Sequence, residues 1–339
     1  MSLINIPVVY FIYNRPDLTL KSFSVIKKLK PKILFIISDG PKTDSDLIEI
    51  KKVRNIVSIV NWKCKIYRKY SKTNLGNSVS TSEGLDYVFS IYDKLIFMED
   101  DSLPHIDFFK FCEINLKKYE NNKEIYAIGG RNPFNYALSK SKNSYIFSVY
   151  PGLSCFAFWK RSWKFYNKNL SKFWLSNIFS YNFFKKFSSF LSYIHFSNTF
   201  NYFYLKTKKM DAWDFPFFCN ILCKLKNPLC IFPEKNLYIN IGINHTRSTT
   251  PVQRYTADFL NKNVLNSMKK VVHPKKVLED KIFGEKFFRA IFFNNENNIF
   301  IYCKNVFLLL LRFAYSTTRV FGVYFFIKIL RKFFNYKSQ

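Results

Sequence analysis

Short apolar runs bounded by polar residues recur along the first hundred positions of the chain. They cover Ile4 to Tyr13, Ile33 to Ser38, Leu95 to Met98 and, more weakly, Lys65 to Tyr70. Runs of this length are typical of buried strands. Between them, apolar residues recur every three or four positions, which is the spacing of one buried helix face. These residues are Leu20, Phe23, Ile26 and Leu29, then Leu47, Ile50, Val53 and Val57, then Val79, Leu85, Val88 and Phe89.

The alternation of these runs predicts the fold class. The order strand, helix, strand, helix, strand, helix, strand is typical of a parallel sheet covered on both faces. Further helices or strands are predicted downstream, at 107–120, 125–130, 155–159 and 229–232. We therefore predict an α/β fold with a Rossmann-like, mostly parallel sheet and helices on both faces. Residues 1–124 and 125–285 are expected to form two halves of one domain.

The charge of the chain indicates which ligands it favours, and its cysteine content indicates its cellular compartment. Lys and Arg number 53 against 23 acids, giving a formal charge of +30, and residues 125–210 contain no acid. Such a charge favours polyanions: nucleic acid, anionic membrane or phosphorylated substrates. The seven cysteines are odd in number and lack paired spacing. This pattern predicts reduced thiols in a cytoplasmic protein.

The end of the fourth apolar run is the clearest candidate site. Glu99, Asp100 and Asp101 follow it directly. Ligands of open α/β sheets bind outside the carboxyl ends of the strands, which is where these acids are expected. Adjacent carboxylates repel one another, and a hard divalent cation that also binds phosphate would join them. The alternative is a solvated acidic turn, which the scarcity of acids in this chain disfavours.

Polar residues also follow the other predicted strands. Arg15 can pair with a phosphate, and Asp39 can accept hydrogen bonds from a base or ribose. Backbone amides that open a helix near Gly76 can face phosphate oxygens. Asn14 and Asn74 lie at the same predicted edge. Each residue alone is better explained by a surface position or a plain turn, but their shared edge predicts a nucleotide site.

Two acids flank a tryptophan in the piece Asp211-Ala212-Trp213-Asp214, directly after the acid-free stretch. Either Asp211 or Asp214 can serve as a general base that deprotonates an attacking hydroxyl. Either can equally cap the helix predicted from Phe215. A polar loop from Asn244 to Thr250, which contains His245 and Arg247, is placed to close over phosphates.

Several common motifs are missing. No G-x-G-x-x-G sequence occurs, which counts against a dinucleotide-dependent dehydrogenase, and no Walker A sequence occurs, which counts against a P-loop NTPase. No G-x-S-x-G elbow occurs, which counts against an α/β-hydrolase.

Taken together, these pieces resemble nucleotide-sugar transferases of the GT-A fold. The likeness is to bacterial family-2-like glycosyltransferases related to animal N-acetylglucosaminyltransferase I. Its most specific piece is the Glu-Asp-Asp triplet at 99–101. The resembling pieces run in the family's order at 11–16, 38–40, 74–76, 97–101, 150–153, 211–214 and 233–245.

The resemblance implies a function and residue roles. It implies transfer of a sugar from a nucleoside-diphosphate sugar, held by residues 1–124, to a glycan or lipid-linked acceptor at residues 125–285. Mn²⁺ or Mg²⁺ would be held by Asp101. The donor would be held by Asn14, Arg15, Asp39, Asn74, Gly76, Glu99 and Asp100. The implied setting is bacterial surface polysaccharide synthesis.

The resemblance also implies that one acid of the 211–214 piece is the base of an inverting transfer. Ala212 separates Asp211 from Trp213, so the family pattern leaves the choice between Asp211 and Asp214 open. The aromatic stretch 164–209 departs from the group, and acceptor recognition is not carried over.

The C-terminal segment, residues 286–339, is basic and aromatic. Val306 to Leu311 and Val320 to Ile327 are separated by Arg312 and Arg319, and neither run reaches the length of a spanning helix. Amphipathic helices of this composition lie in membrane interfaces. We predict peripheral attachment to the cytoplasmic face of the plasma membrane; packing on the domain or a dimer contact are the alternatives.

Two other classes of function stay open at this point. The charge and the aromatic residues also suit a nucleic-acid-binding protein, although the basic residues are dispersed and no binding motif occurs. We therefore expect no specific nucleic-acid partner. A nucleotidyltransferase would use the same acids, metal and nucleoside phosphates, but would release pyrophosphate.

Overall fold

Strand β1 (Val8–Ile12) is central to the sheet because both of its faces are apolar. The computed structural model describes residues 4–132, 134, 143–152, 155–170, 174–206, 211–243, 245–247, 264–293 and 299–335. All five β1 residues are buried. The strand pairs in parallel with β2 (Ile33–Ser38) and β4 (Lys94–Glu99), and β2 pairs in parallel with β3 (Lys65–Tyr70).

The remaining strands extend the same sheet beyond β4. The additional strands are β6 (Ile125–Gly129), β7 (Tyr145–Ser148), β8 (Cys155–Trp159) and β9 (Leu229–Pro233). The order of the eight strands is β3-β2-β1-β4-β8-β6-β9-β7. Only β8 and β7 are antiparallel to their neighbours, so six strands run in one direction. Both halves of the chain therefore contribute to one sheet.

A small second sheet lies beside the carboxyl end of β4. Strand β5 (Ser102–Pro104) pairs antiparallel with β10 (Tyr238–Asn240). This pairing brings the chain after residue 238 back to the acids at 99–101.

Helices cover both faces because alternate strand residues point to opposite sides. On one face Tyr10 and Ile36 pack with helices α1 (Pro16–Leu29), α2 (Asp44–Ser58) and α4 (Ile106–Lys118). On the other, Phe11 and Ile37 pack with α3 (Asn77–Ile91), α7 (Phe190–Leu205) and α8 (Asp214–Lys224). The predicted α/β fold with a mostly parallel sheet is confirmed. The shorter helices are α5 (Lys160–Trp163), α6 (Tyr181–Phe184) and α9 (Lys281–Phe288), which continues as a π-helical turn, Arg289–Phe293.

The aromatic stretch 164–209, whose periodicity is weak, contains α6 and α7. Helix α7 carries buried residues on several sides, among them Tyr193, Phe196, Phe200 and Phe203. It lies between α8 and the last helix, α10 (Ile299–Asn335). A helix packed on more than one side has no single apolar stripe, which is why its periodicity is weak.

Within the C-terminal segment 286–339, which the sequence predicted to be helical, α10 is one continuous helix. Arg312 and Arg319 are exposed and therefore do not interrupt it, while Val306, Leu309 and Phe313 pack towards the domain. In the part of the chain that is described, no helix is long and apolar enough to cross a membrane. All seven cysteines are free.

A buried polar contact fixes α10 against α7. The Asn201 side chain is buried; its oxygen accepts from Trp174 Nε1 at 2.8 Å, and its nitrogen donates to Ser316 Oγ and Thr317 Oγ1, both at 3.0 Å. We expect Asn201→Ala to lower the free energy of unfolding by about 2 to 4 kcal/mol, because it leaves the buried indole N–H of Trp174 without its acceptor and removes the hydrogen bonds to Ser316 and Thr317 on α10. Chemical denaturation measures this loss. The exposed Asn55→Ala is the control, and an equal loss in both variants would contradict the role of Asn201.

Candidate functional site

The carboxyl ends of three parallel strands bring most of the predicted site residues together. In the register of the sheet, Ile12 of β1 lies beside Ser38 of β2, and Phe11 lies beside Glu99 of β4. The residues that follow these strands therefore lie on one edge. They are Asn14 and Arg15 after β1, Asp39 after β2, and Asp100 and Asp101 after β4.

Arg15 bridges two of the three acids. Its Nη2 donates to Asp100 Oδ1 in a short ion pair, and its Nη1 donates to Asp101 Oδ2 at 3.2 Å. Burial alone would lower the pKa of Arg15, but Asp100 and Asp101 raise it above its usual range. The guanidinium therefore stays charged and offsets the repulsion between the two carboxylates. The predicted contact of Arg15 with a donor phosphate stays a prediction.

Asp100 is the most deeply placed of the three acids, only 2% exposed. Its backbone oxygen accepts a hydrogen bond from Ser22 Oγ at 2.8 Å, which ties it to α1. Burial raises the pKa of the Asp100 carboxyl to about 6, although Arg15 opposes this shift. Both of its carboxylate oxygens face Arg15, so its contribution to the site is to hold Arg15 in place.

Glu99 is partly buried at the end of β4. Burial raises the pKa of its carboxyl well above the usual range; the charges of Asp101, Asp100 and Asp214 add to this shift, and Arg15 opposes it. Asp214 begins α8, and the preceding Trp213 ring lies 5.5 Å from that of Phe97 in β4, two residues before Glu99. The acids that the sequence placed in two separate pieces thus share one site.

Asp101 has one carboxylate oxygen paired and one without a partner. Oδ2 accepts from Arg15, whereas Oδ1 is buried and has no hydrogen-bond partner. A buried carboxylate oxygen without a partner is costly, and a cation is one ligand that satisfies it. Within the described ranges no group of three or more His, Cys, Asp or Glu side chains is arranged to hold a metal ion. A cation held by Asp101 would have to draw its other ligands from phosphate oxygens and water, as Mg²⁺ commonly does.

Gly242 closes the site around Asp101 and Arg15. A Cβ atom at this position would lie 2.7 Å from Asp101 Cβ and 3.1 Å from Arg15 Nη1, so only glycine fits. The neighbouring Ile241 N–H donates to Asp101 O at 2.8 Å. Because β10 pairs with β5, the chain after β10 is held against the acids.

The loop beyond Gly242 contacts the chain after β1. His245 Nε2 lies 3.2 Å from Asp17 Oδ1, and Arg247 Nη1 donates to Asn14 O at 3.2 Å. Asn14 itself donates through Nδ2 to Asp46 Oδ1 at 2.6 Å. Of the predicted loop 244–250, Asn244 and residues 248–250 lie outside the described residues. The described part, 245–247, lies at the predicted edge, beside Asn14.

Asp39 organises the loop between β3 and α3. Its Oδ1 accepts from the N–H groups of Gly40 at 2.8 Å and Leu75 at 2.9 Å. Its Oδ2 accepts from Gly76 N–H at 3.0 Å and Asn74 Nδ2 at 3.1 Å. A carboxylate offers about four acceptor positions, and all four are occupied here, three by the loop and one by Gly40. Direct contact of Asp39 and Asn74 with a nucleotide stays a prediction.

Asp211 caps helix α3. Its Oδ2 accepts from Asn77 N–H at 2.9 Å, and its Oδ1 accepts from Ser78 N–H at 2.6 Å. Gly76 has a φ of +79°, and a Cβ there would lie 2.9 Å from the Asp211 carboxylate, so glycine permits both the turn and the close approach. The expectation that the amides of 76–78 face phosphate oxygens is corrected: carboxylates of the chain itself occupy them.

Trp213 anchors the start of α8 against the sheet. It is buried, with its ring centroid 5.5 Å from that of Phe97 in β4 and 5.9 Å from that of Phe156 in β8. Phe97 lies two residues before Glu99, so this packing places Asp214, the first residue of α8, near the acids. Neither Asp211 nor Asp214 caps α8 from outside it, because the capping position is Trp213 itself.

Two residues that support the site escape sequence reasoning. Arg54 of α2 donates through Nη2 to Asp39 O at 3.1 Å and to Ser71 O at 3.0 Å, which joins the loops after β2 and β3. It lies within an ordinary amphipathic helix, and no local signal marks it. Gly242 follows a strand, and a glycine at such a position weakly indicates that two parts of the chain approach closely. The sequence alone does not show that the approaching residues are Asp101 and Arg15.

Comparisons with known proteins give no family. No protein-family model matches the chain, and no curated protein matches it. Among solved structures, UDP-glucose pyrophosphorylase complexed with UDP-glucose is similar at 9% sequence identity and a TM-score of 0.28, over 48% of this chain and 79% of that one.

The capping role of Asp211 is testable by stability. We expect Asp211→Ala to lower the free energy of unfolding by about 0.5 to 2 kcal/mol, because two amides of α3 lose their acceptor. Chemical denaturation measures the loss, and hydrogen exchange should show faster opening at the start of α3. Asp93→Ala is the matched control, since its side chain is 90% exposed. Unchanged stability and unchanged exchange at Asn77 and Ser78 would contradict the cap.

Proposed function

We propose that this protein is a metal-dependent, inverting glycosyltransferase that moves a sugar from a nucleoside-diphosphate sugar to a hydroxyl of a glycan or lipid-linked acceptor. The observation that carries the proposal is the buried, unpartnered Oδ1 of Asp101 at the carboxyl edge of the parallel sheet. An electron-rich oxygen in this position suits a divalent cation that also binds phosphate. The same edge is where open α/β sheets bind their ligands.

The donor class follows from the number of protein ligands. Asp101 offers one oxygen, and Arg15 and Asp100 already pair with each other. A cation that binds only one oxygen of the protein needs further oxygen ligands, and a diphosphate supplies them on adjacent phosphates. Asp101 would hold Mn²⁺ or Mg²⁺, and the bound cation would neutralise the negative charge that develops on the departing diphosphate.

The general base is assigned to Asp214. Both oxygens of Asp211 accept amides of α3, so a proton taken up there would weaken the cap. Asp214 instead contributes to the electrostatic field at Glu99, and Trp213 fixes the start of its helix on β4. A carboxylate within the field of the donor site is placed to accept the proton of an acceptor hydroxyl.

The reaction is a single displacement. The acceptor oxygen bonds to the anomeric carbon of the sugar while the bond from that carbon to the diphosphate oxygen breaks. The hydroxyl proton passes to Asp214, and the electron pair leaves with the nucleoside diphosphate. Attack from the side opposite the leaving group inverts the configuration at that carbon, and no covalent enzyme intermediate forms.

Asp101→Asn tests the donor site. At a ligand concentration about 100 times the dissociation constant, binding adds about 2.7 kcal/mol to the free energy of unfolding. We expect one of UDP, GDP and CDP to give this gain with Mn²⁺ in the wild-type chain, and the gain to vanish in Asp101→Asn. Thermal unfolding with and without Mn²⁺ measures it. Asp93→Asn is the control, and a full gain in Asp101→Asn would remove the metal assignment.

Asp214→Asn tests the base. We expect turnover to fall by about 10² to 10⁴-fold while the dissociation constant of the nucleotide is unchanged, because the amide cannot accept the proton. Product analysis should show a nucleoside diphosphate. Asp211→Asn is the matched variant, expected to keep turnover; the reverse result would assign the base to Asp211. Release of pyrophosphate in place of nucleoside diphosphate would mark a nucleotidyltransferase.

A further inference from the structure

Exposed aromatic rings are confined to one part of the molecule. Among the side chains that the structure describes, seven Phe and Tyr residues are strongly exposed, and none lies before residue 179. Those on and around α6 and α7 are Phe179, Tyr181, Phe184, Phe190 and Tyr202, and those on α10 are Phe307 and Tyr315. Clustered exposed rings mark an interaction surface, whereas scattered apolar residues do not.

The two groups of rings belong to one body. Helix α10 packs along α7, with Phe313 at 6.2 Å from Tyr193 between ring centroids. Phe179 stacks on Phe321 of α10 at 5.6 Å. We call this body, formed by residues 174–206 and the described side chains 303–322, the α7–α10 surface. More than 90 residues of chain separate its two segments, and only the fold joins them.

Helix α10 is apolar on its outer side as well as on its inner side. Phe307, Leu311 and Tyr315 recur every four residues, which places them on one helix face, and they are 60%, 51% and 65% exposed. The inner side is formed by Leu309, Phe313, Ser316 and Val320. A helix that only packed on the domain would carry polar residues on its outer side. The outer row of α10, formed by Phe307, Leu311 and Tyr315, therefore indicates a partner that covers it.

The charge of the α7–α10 surface identifies that partner as anionic. Lys304, Arg312 and Arg319 are exposed on α10, and Arg319 lies 5.8 Å from the Tyr315 ring. Lys206 lies 4.8 Å from the Tyr202 ring. Neither residues 125–210 nor 299–339 contain an acid. Cations interleaved with rings, without acids among them, repel a second copy of the same surface.

We propose that the α7–α10 surface lies on a membrane that carries anionic lipid headgroups, with the outer row of α10 in the interface. Apolar and aromatic side chains enter the boundary between headgroups and acyl chains, while Lys and Arg pair with phosphate groups. The aromatic stretch around α6 and α7, and not the C-terminal segment alone, contributes to the contact.

The surface is connected to the candidate active site. Phe203 of α7 packs on Phe215 at 5.2 Å between centroids, and Phe215 follows Asp214. In so far as the proposed function holds, this contact joins the membrane-binding body to the helix that begins with the proposed base, Asp214. Membrane binding itself requires neither donor nor acceptor.

Vesicle flotation without any nucleotide sugar tests the proposal on the full chain. We expect binding to vesicles that contain phosphatidylglycerol and little binding to phosphatidylcholine alone. The triple variant Phe307→Ser, Leu311→Ser, Tyr315→Ser should weaken binding by at least about 100-fold, because three apolar side chains leave the interface. The triple variant Lys304→Gln, Arg312→Gln, Arg319→Gln should weaken it by about 100-fold, and only on anionic vesicles.

Matched controls replace equal numbers of exposed apolar residues or cations on α1, α2 and their flanks. Leu20→Ser, Ile48→Ser, Ile59→Ser removes apolar residues that are 59%, 57% and 60% exposed. Lys28→Gln, Lys51→Gln, Lys63→Gln removes three exposed cations. Both should bind as the wild type does. Circular dichroism checks that each variant is folded.

Three results would overturn the proposal. They are no binding of the wild type to anionic vesicles, equal losses in the controls, or a wild-type dimer that the apolar α10 variant converts to a monomer without any vesicle binding. The last result would assign the outer row to a second copy. Because nucleotide binding and vesicle binding are measured separately, failure of one leaves the other standing.

Discussion

The arrangement of the site depends on the ion pairs between Arg15 and the acids at 100 and 101. Three adjacent acids at the end of a buried strand repel one another, and burial adds the cost of removing charge from water. Arg15 offsets that cost because the first strand ends beside the fourth, which brings its guanidinium onto Asp100 and Asp101. The pairing uses one oxygen of Asp101 and leaves the other buried without a partner. The proposed chemistry follows from that imbalance.

Carboxylates around this site have four roles, two seen in the structure and two proposed, and their surroundings decide which. Asp39 and Asp211 accept backbone amides and so fix the loop before α3 and the start of α3. Asp100 holds Arg15. Asp101 and Asp214 are the acids assigned to the cation and to the transferred proton. The chain contains only 23 acids and has a formal net charge of +30, yet several of its acids are concentrated around this site.

The net positive charge of the chain is concentrated in one part of the structure. Acid-free sequence forms the aromatic body of α7 and α10, far along the chain from the acid-rich edge of the sheet. The molecule therefore separates a compact acidic site from a basic, aromatic surface. Helix α7 joins the two by packing on α8 beside Asp214. The proposed transfer to an acceptor held in a membrane would use both features.

The sequence by itself determined the strands and helices of the first half, the α/β class and the gathering of Arg15, Asp39 and Glu99–Asp101 at one edge. These follow from local apolar periodicity and from the geometry of parallel strands. Only the tertiary structure decided what each acid contacts, because Asp211 meets Asn77 and Ser78 across more than 130 residues of chain. Likewise, apolar periodicity did not predict α7 within 164–209, because this helix is buried on more than one side. The exposed outer row of α10 can be identified only from the structure, which shows which side of the helix packs on the domain. Contacts between residues that are distant in sequence do not alter the local pattern of apolar and polar positions, so that pattern cannot predict them.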